Sequence, residues 1–273
     1  MFVGALENAA ATGAGKNMAA SVSPIDGKSV GRSVEEQRLR EELAGFYRAA
    51  AFYGWDDLTS THISVRLPGD EHHFLLNPFD LMFEEVTASS LLKIDLNGNL
   101  VEPSESRVNK AGFTIHSAIH AARADAMCVV HFHTVDGVAV GAQPRGLLPI
   151  SAHALFLTGR VGYHEYEGVV DSSAEGPRIL GALEDNVALF LRNHGTLAIG
   201  STIAEAFYNI FTLEKACKIQ TAALAGTDGL IEVDDAIARH MQGQIGRSFQ
   251  SLYDMSWAAV LRMLDRRDPS FRT

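Results

Sequence analysis

The stretch Cys128-Val129-Val130-His131-Phe132-His133 sets both the fold and the chemistry. An apolar run this short reads as a buried strand, and side chains alternate across a strand. His131 and His133 therefore share one face, with Phe132 on the other. Upstream, the spacing of Ile115, Ala118, Ile119 and Ala122 predicts a helix from Asn109 to Arg123. Downstream, Val187 to Leu191 and Leu197 to Ile199 read as two more apolar strands, with His194-Gly195 as the turn between them. Gly195 is expected to let the backbone turn sharply there. Two neutral imidazoles on one face suit Zn²⁺ or a similar divalent ion. A third from a separate strand end fits a catalytic site with an open position better than a closed structural one. His131, His133 and His194 are the predicted ligands of one divalent cation, zinc foremost.

Further out, Ser33 and Glu36 fit a capping box, and Leu39, Leu43, Phe46 and Tyr47 recur at helical spacing, so a helix is expected to about Phe52 with a stop near Gly54. Ile63 to Leu67 alternates as a strand, Phe74 to Leu76 reads as its hairpin partner, and Leu92 to Asp95 precedes an Asn97-Gly98 turn. Thr202-x-x-Glu205 caps a long helix that runs to Gly226, and Asp234 to Leu264 is expected to be helical in two pieces. Strands and helices mix without strict βαβ alternation. That favours an α/β fold with a central, mostly antiparallel sheet and helices on its faces. One domain is expected over residues 33–273. Residues 1–32, rich in Ala, Gly, Ser and Asn, are read as a flexible arm. Gly13-Ala14-Gly15-Lys16 lacks the spacing of a phosphate loop.

Composition narrows the function. The chain has 273 residues, 47% of them hydrophobic, which is enough for a full core. Its 33 acidic and 23 basic side chains give a net charge of −10, which argues against a nucleic-acid binder that needs a basic surface. No apolar run approaches the ~20 residues of a membrane helix, and no secretory signal is visible. The two cysteines, Cys128 and Cys217, lie in apolar segments and read as buried reduced thiols. A cytoplasmic protein without membrane or nucleic-acid partners is expected.

These blocks together resemble the class II aldolase/adducin superfamily, over roughly residues 34–245. The segment Gly112-Phe113-Thr114-Ile115-His116-Ser117-Ala118-Ile119, running on to His131-Phe132-His133, looks like that superfamily's helix-then-strand metal motif. Gly146 to Ser151, Gly162 to Gly168 and Leu191-Arg192-Asn193-His194-Gly195 follow in its order. Asn77-Pro78-Phe79 and Glu84-Glu85-Val86-Thr87-Ala88-Ser89-Ser90-Leu91 are most similar to the adducin head and its bacterial relatives. The resemblance implies a three-layer α/β/α fold, a three-histidine zinc site, and a homo-oligomer, tetramer favoured, with sites at subunit interfaces.

Two departures from the aldolase pattern stand out. The aldolases carry an acid/base carboxylate at the start of the helix before the H-x-H strand, and counting back from His131 puts Gly112 there. Glu105, in the loop ahead of that helix, is the candidate substitute, with Glu102 beside it. The aldolases also use a Gly-Asn turn to grip the substrate phosphate. Here Thr61-His62 stands in its place, so Thr59, Ser60, Thr61 and His62 are the candidate substrate-binding residues. The other histidines are read as structural or solvated: His153, His164, His72 and His73, and the His116/His120 pair that shares a helix face. Glu214-Lys215 is read as a solvated or interface pair.

The expected function is a divalent-metal-dependent, aldolase-like lyase acting on a small hydroxycarbonyl or sugar-phosphate-type substrate. The alternative is an adducin-head-like, non-catalytic metal-binding or interaction module, and a sugar-phosphate epimerase ranks third.

Overall fold

The strand Cys128–Phe132 stands at the centre of the sheet, as its apolar sequence requires. The computed structural model describes residues 31–69, 71–168, 173–226, 229–245 and 249–273. Residues 33–273 form one compact unit, and the arm expected at 1–32 lies outside the described residues except for its last two. In chain order the elements are α1 (Val34–Tyr53), β1 (His62–Arg66), β2 (Phe74–Leu76), β3 (Leu92–Ile94), α2 (Lys110–Ala122), β4 (Cys128–Phe132), α3 (Val135–Gly141), α4 (Ala152–Phe156), β5 (Val161–His164), α5 (Gly176–Leu183), β6 (Ala188–Leu191), β7 (Gly195–Gly200), α6 (Ile203–Leu224), α7 (Asp235–Ile245) and α8 (Phe249–Arg267). They build a seven-stranded sheet in the order β3-β2-β1-β4-β7-β6-β5. Every pairing is antiparallel except β5 with β6.

The sheet has two different faces because β4 alternates. Cys128, Val130 and Phe132 face the larger core, packed with residues of α1, α6 and α8. Rings of Phe46, Phe132, Phe207 and Trp257 meet there, with Phe46 centroids 6.5, 5.3 and 5.9 Å from the other three. Burying one such ring is worth roughly 1.5–3 kcal/mol. Val129 faces the other way, where Ile115 and Ile119 of α2 and Ile179 and Leu183 of α5 cover the sheet. The result is three layers, α/β/α.

Local signals set the element ends. Ser33 caps α1 by accepting the Glu36 N–H at 3.0 Å, and Gly54 ends the helix in the left-handed conformation, φ 70°. The Glu36 carboxylate does not complete the capping box; it pairs with Arg40 and Lys93 instead. Thr202 caps α6 by accepting the Glu205 N–H at 3.1 Å. Strand β5 and helices α3, α4 and α5 were not expected from sequence. Among the described residues no helix is long and apolar enough to cross a membrane.

Candidate metal centre

Register brings the histidines together. His131 lies on β4 opposite His62 of β1 and Leu197 of β7, while Phe132 opposes Thr196. Asn193, with φ 58°, makes the turn that returns the chain from β6 into β7 and presents His194. Ring centroids of His131, His133 and His194 lie 4.7 to 4.9 Å apart. One donor nitrogen from each falls within 4.8 Å of the others.

The second nitrogens fix the tautomers. His131 Nδ1–H donates to the Thr196 carbonyl at 2.9 Å, and His133 Nδ1–H donates to the Asp57 carboxylate at 3.0 Å. With both rings neutral, the two Nε2 atoms carry lone pairs, and they stand 2.9 Å apart. Two lone pairs at that distance repel unless a cation, a metal ion or a shared proton, sits between them. Donors about 3.3 Å apart are what a tetrahedral ion with bonds of about 2.0–2.1 Å requires. A carboxylate or carbonyl behind each ligating imidazole is the usual outer support of such sites. Burial pushes the His131 imidazole well below its ordinary range and His194 down to about 4, with the neighbouring imidazoles adding to the effect. At neutral pH these two rings are uncharged, which is the ligating form. The residues therefore fit a divalent ion.

Gly195 serves close approach rather than the turn. A Cβ there would lie 2.3 Å from the Phe132 carbonyl oxygen and 3.0 Å from ring atoms of both His131 and His133.

A cavity of about 330 Å³ opens over the three rings. That is the small end of the range for ligand sites, about 300–1,000 Å³. Ser60, His62, Asn109, Ile115 and Tyr166 contribute to its wall, and the Tyr166 ring lies 6.4 Å from His194. His62 is buried, lies tilted against His116 with ring centroids 4.2 Å apart and meets the His131 ring edge-on at 5.7 Å. Its Nε2–H donates to the Gly112 carbonyl at 2.9 Å. Nδ1 is then a lone-pair acceptor, and it has no partner among the described residues. Burial holds His62 down to about 4, so it is neutral. Strand β1 is itself fastened by Tyr47, whose hydroxyl accepts the Ile63 N–H at 2.7 Å.

Of the candidate substrate-binding residues, Ser60 and His62 reach the cavity wall, and Thr59 and Thr61 are not among its lining residues. Glu105 is exposed in the loop before α2 and does not line the cavity. Glu102 is taken up by Arg40, at 3.2 Å. His116 and His120 are buried rather than on a helix surface: Ser64 Oγ bridges their rings at 2.7 Å on each side, and His120 Nδ1–H donates to the Ala126 carbonyl at 2.7 Å. His164, Glu167 and Glu175 also cluster. There His164 meets Glu175 at 3.1 Å and Arg178 takes Glu167 at 2.6 Å, so protein groups already satisfy the set. Sequence reasoning missed Asp57, which sits 76 positions from His133 with no local signal linking them.

The family described as Class II Aldolase and Adducin N-terminal domain matches residues 41–221, and the chain belongs to it. A Caulobacter vibrioides protein that bears a provisional aldolase class 2 name is 45% identical over 240 residues, covering 88% of this chain and 93% of that one. Alpha-adducin of Rattus norvegicus is 44% identical over 84% of this chain, which spans only 33% of the adducin. The solved structure of L-fuculose 1-phosphate aldolase from Glaciozyma antarctica superposes with a TM-score of 0.77 at 30% identity, covering 88% of this chain and 93% of that one.

Proposed function

We propose that this chain is a divalent-metal-dependent, aldolase-like lyase that cleaves a small hydroxycarbonyl compound, free or phosphorylated. The observation that carries the reading is the pair of Nε2 atoms of His131 and His133, 2.9 Å apart at the floor of the cavity with both Nδ1 protons already committed. His194 completes the ligand set, and zinc suits three imidazoles with one open position. The chemistry a divalent ion supplies when bound there is Lewis-acid polarisation of a carbonyl oxygen. The likeness to the L-fuculose 1-phosphate aldolase supports a sugar-derived substrate.

The chain's own residues supply the rest. His62 Nδ1 is a neutral acceptor in the cavity wall, suited to take a hydrogen bond from a substrate hydroxyl or the proton itself. Ser60, Asn109 and Tyr166 add hydroxyl and amide groups that orient a polyhydroxylated molecule. Glu105 is the second candidate for the proton, on an exposed loop that would have to reorder. A homo-oligomer, tetramer favoured, belongs to the same reading.

A non-catalytic, adducin-like role is the competing reading, favoured by Gly112 in the position where the aldolases carry their acid and by the 44% identity to alpha-adducin. The test is a screen of the zinc-loaded protein against hydroxyaldehyde and hydroxyketone adducts, free and phosphorylated. Retro-aldol cleavage that disappears in His133→Ala supports the lyase. Zinc binding without turnover of any of them supports the adducin-like module.

A further inference from the structure

Glu214 is a buried acid that the proposed chemistry does not use. Sequence reasoning placed it in a solvated or interface pair with Lys215. The structure exposes Lys215 and buries Glu214 to 5% exposure, on the α6 face that packs against the sheet. No basic side chain pairs with it among the described residues. Its partners are two hydroxyls: Thr134 Oγ–H donates to Oε2, and Thr196 Oγ–H donates to Oε1 at 2.5 Å.

Those two threonines stand at the ends of the ligand-bearing strands. Thr134 directly follows His133 and caps α3 by accepting the Gly137 N–H at 3.0 Å. Thr196 is two residues beyond His194, and its carbonyl is the acceptor that fixes His131 Nδ1. Thr196 opposes Phe132 in register, so its side chain shares the Phe132 face, opposite the histidines. One carboxyl on the far side of the sheet thus ties together the hydroxyls of two residues whose backbone adjoins the three rings. The corner is tight. A Cβ on Gly137 would lie 2.6 Å from Thr134 Oγ1, 2.7 Å from Thr196 Cγ2 and 3.4 Å from Glu214 Oε1. Burying an acid without a cation costs free energy, and an apolar residue would pack α6 against the sheet more cheaply. Two accepted hydroxyl bonds, one from each strand end, are what the carboxyl adds that an apolar residue cannot.

We propose that Glu214 is a positioning residue for the histidine centre, holding the backbone at Thr134 against that at Thr196 and so setting the spacing of His131 and His133 from His194. The proposal rests on the metal-centre reading. It differs from a packing role because the clamp sets metal affinity over and above any change in fold stability.

The experiment measures the Zn²⁺ dissociation constant of the metal-stripped protein by competition with a chromogenic chelator, alongside thermal unfolding of the same metal-free samples. Wild type, Glu214→Leu, Glu214→Gln, Thr196→Val and the Leu/Val double variant are compared. Glu214→Leu and Thr196→Val are each expected to weaken zinc by about 10–100-fold, the usual cost of losing an outer support. Glu214→Gln, which keeps an acceptor oxygen, recovers most of that loss. The double variant is no worse than the weaker single variant, because both changes cut one connection. Zinc affinity within twofold of wild type in Glu214→Leu or in Thr196→Val overturns the proposal, as do losses that multiply in the double variant. Affinity losses that track the melting temperature across the set also overturn it. If Glu214→Leu shows no cooperative melt, Thr196→Val and Glu214→Gln carry the same expectations. A wild-type protein that binds no zinc removes the metal-centre reading, and this proposal with it.

Discussion

The imidazole of His62 fills the space that a side chain at position 112 would need. A Cβ on Gly112 would stand 2.5 Å from His62 Cε1 and 2.9 Å from both ring nitrogens. Gly112 and His62, the two positions at which the sequence was expected to depart from the aldolases, therefore form one packing arrangement. His62 lies where it does because residue 112 has no side chain, and it brings an unpartnered nitrogen into the cavity wall.

That arrangement predicts strong coupling. Gly112→Ala drives a methyl into a buried ring held on both sides by His116 and His131, so overpacking should cost about 1–3 kcal/mol in urea unfolding. In a His62→Ala background the same change should be nearly free, because the space is vacated. Equal costs in both backgrounds would show that the ring moves aside without penalty.

Proton transfer separates His62 from Glu105. His62→Gln is expected to lower kcat by about 10²–10⁴-fold with zinc content unchanged, while Glu105→Gln changes it little. The opposite pattern would assign the step to Glu105 and require its exposed loop to close over the substrate.

Gly195→Ala tests close approach at the ligand pair. The added methyl meets the Phe132 carbonyl at 2.3 Å and both His131 and His133 at 3.0 Å, so the strand ends must part and the two rings shift with them. Zinc affinity should fall by at least about tenfold, as for other displaced ligand geometry. An unchanged affinity in a chelator competition would mean that the strands separate without disturbing the rings.

The metal-free protein should carry two opposed pH dependences. Burial lowers His120 to about 3, so between its unfolded value near 6.5 and that folded value the unfolded chain binds more protons, and stability falls as pH falls. Burial raises Glu214 to about 7, so between about 4.5 and 7 the folded chain binds more protons. Its contribution is present at low pH and lost as pH rises through that window. Each acts on the scale of a few kcal/mol at most. Glu214→Gln removes the compensating half, so urea midpoints between pH 7 and 4.5 should drop more steeply in that variant than in wild type. Parallel slopes would show that Glu214 does not titrate there.

Much of this was legible in the sequence where physics is local. Alternation along β4 placed His131 and His133 on one face, the caps at Ser33 and Thr202 located two helices, and the spacing of Ile115, Ala118, Ile119 and Ala122 located α2. Strand β5 was not legible, since Val161–His164 is short and takes its place only by parallel pairing with β6. Glu214 should have been found. It lies four residues after Ile210 and three before Cys217, on the buried stripe of α6, but its charge and the adjacent Lys215 suggested solvent. Gly195 does not make the turn its sequence suggests, because the positive φ belongs to Asn193. His62 and Gly112 could not be connected from sequence, because 50 residues and a strand pairing separate them.

The metal centre is tested most sharply by elemental analysis of the purified protein beside its His131→Ala, His133→Ala and His194→Ala variants. One divalent ion per wild-type chain is expected, with near-complete loss in each variant, all still folded by circular dichroism. Full occupancy in any one of the three would take that histidine out of the ligand set and contradict the site as described.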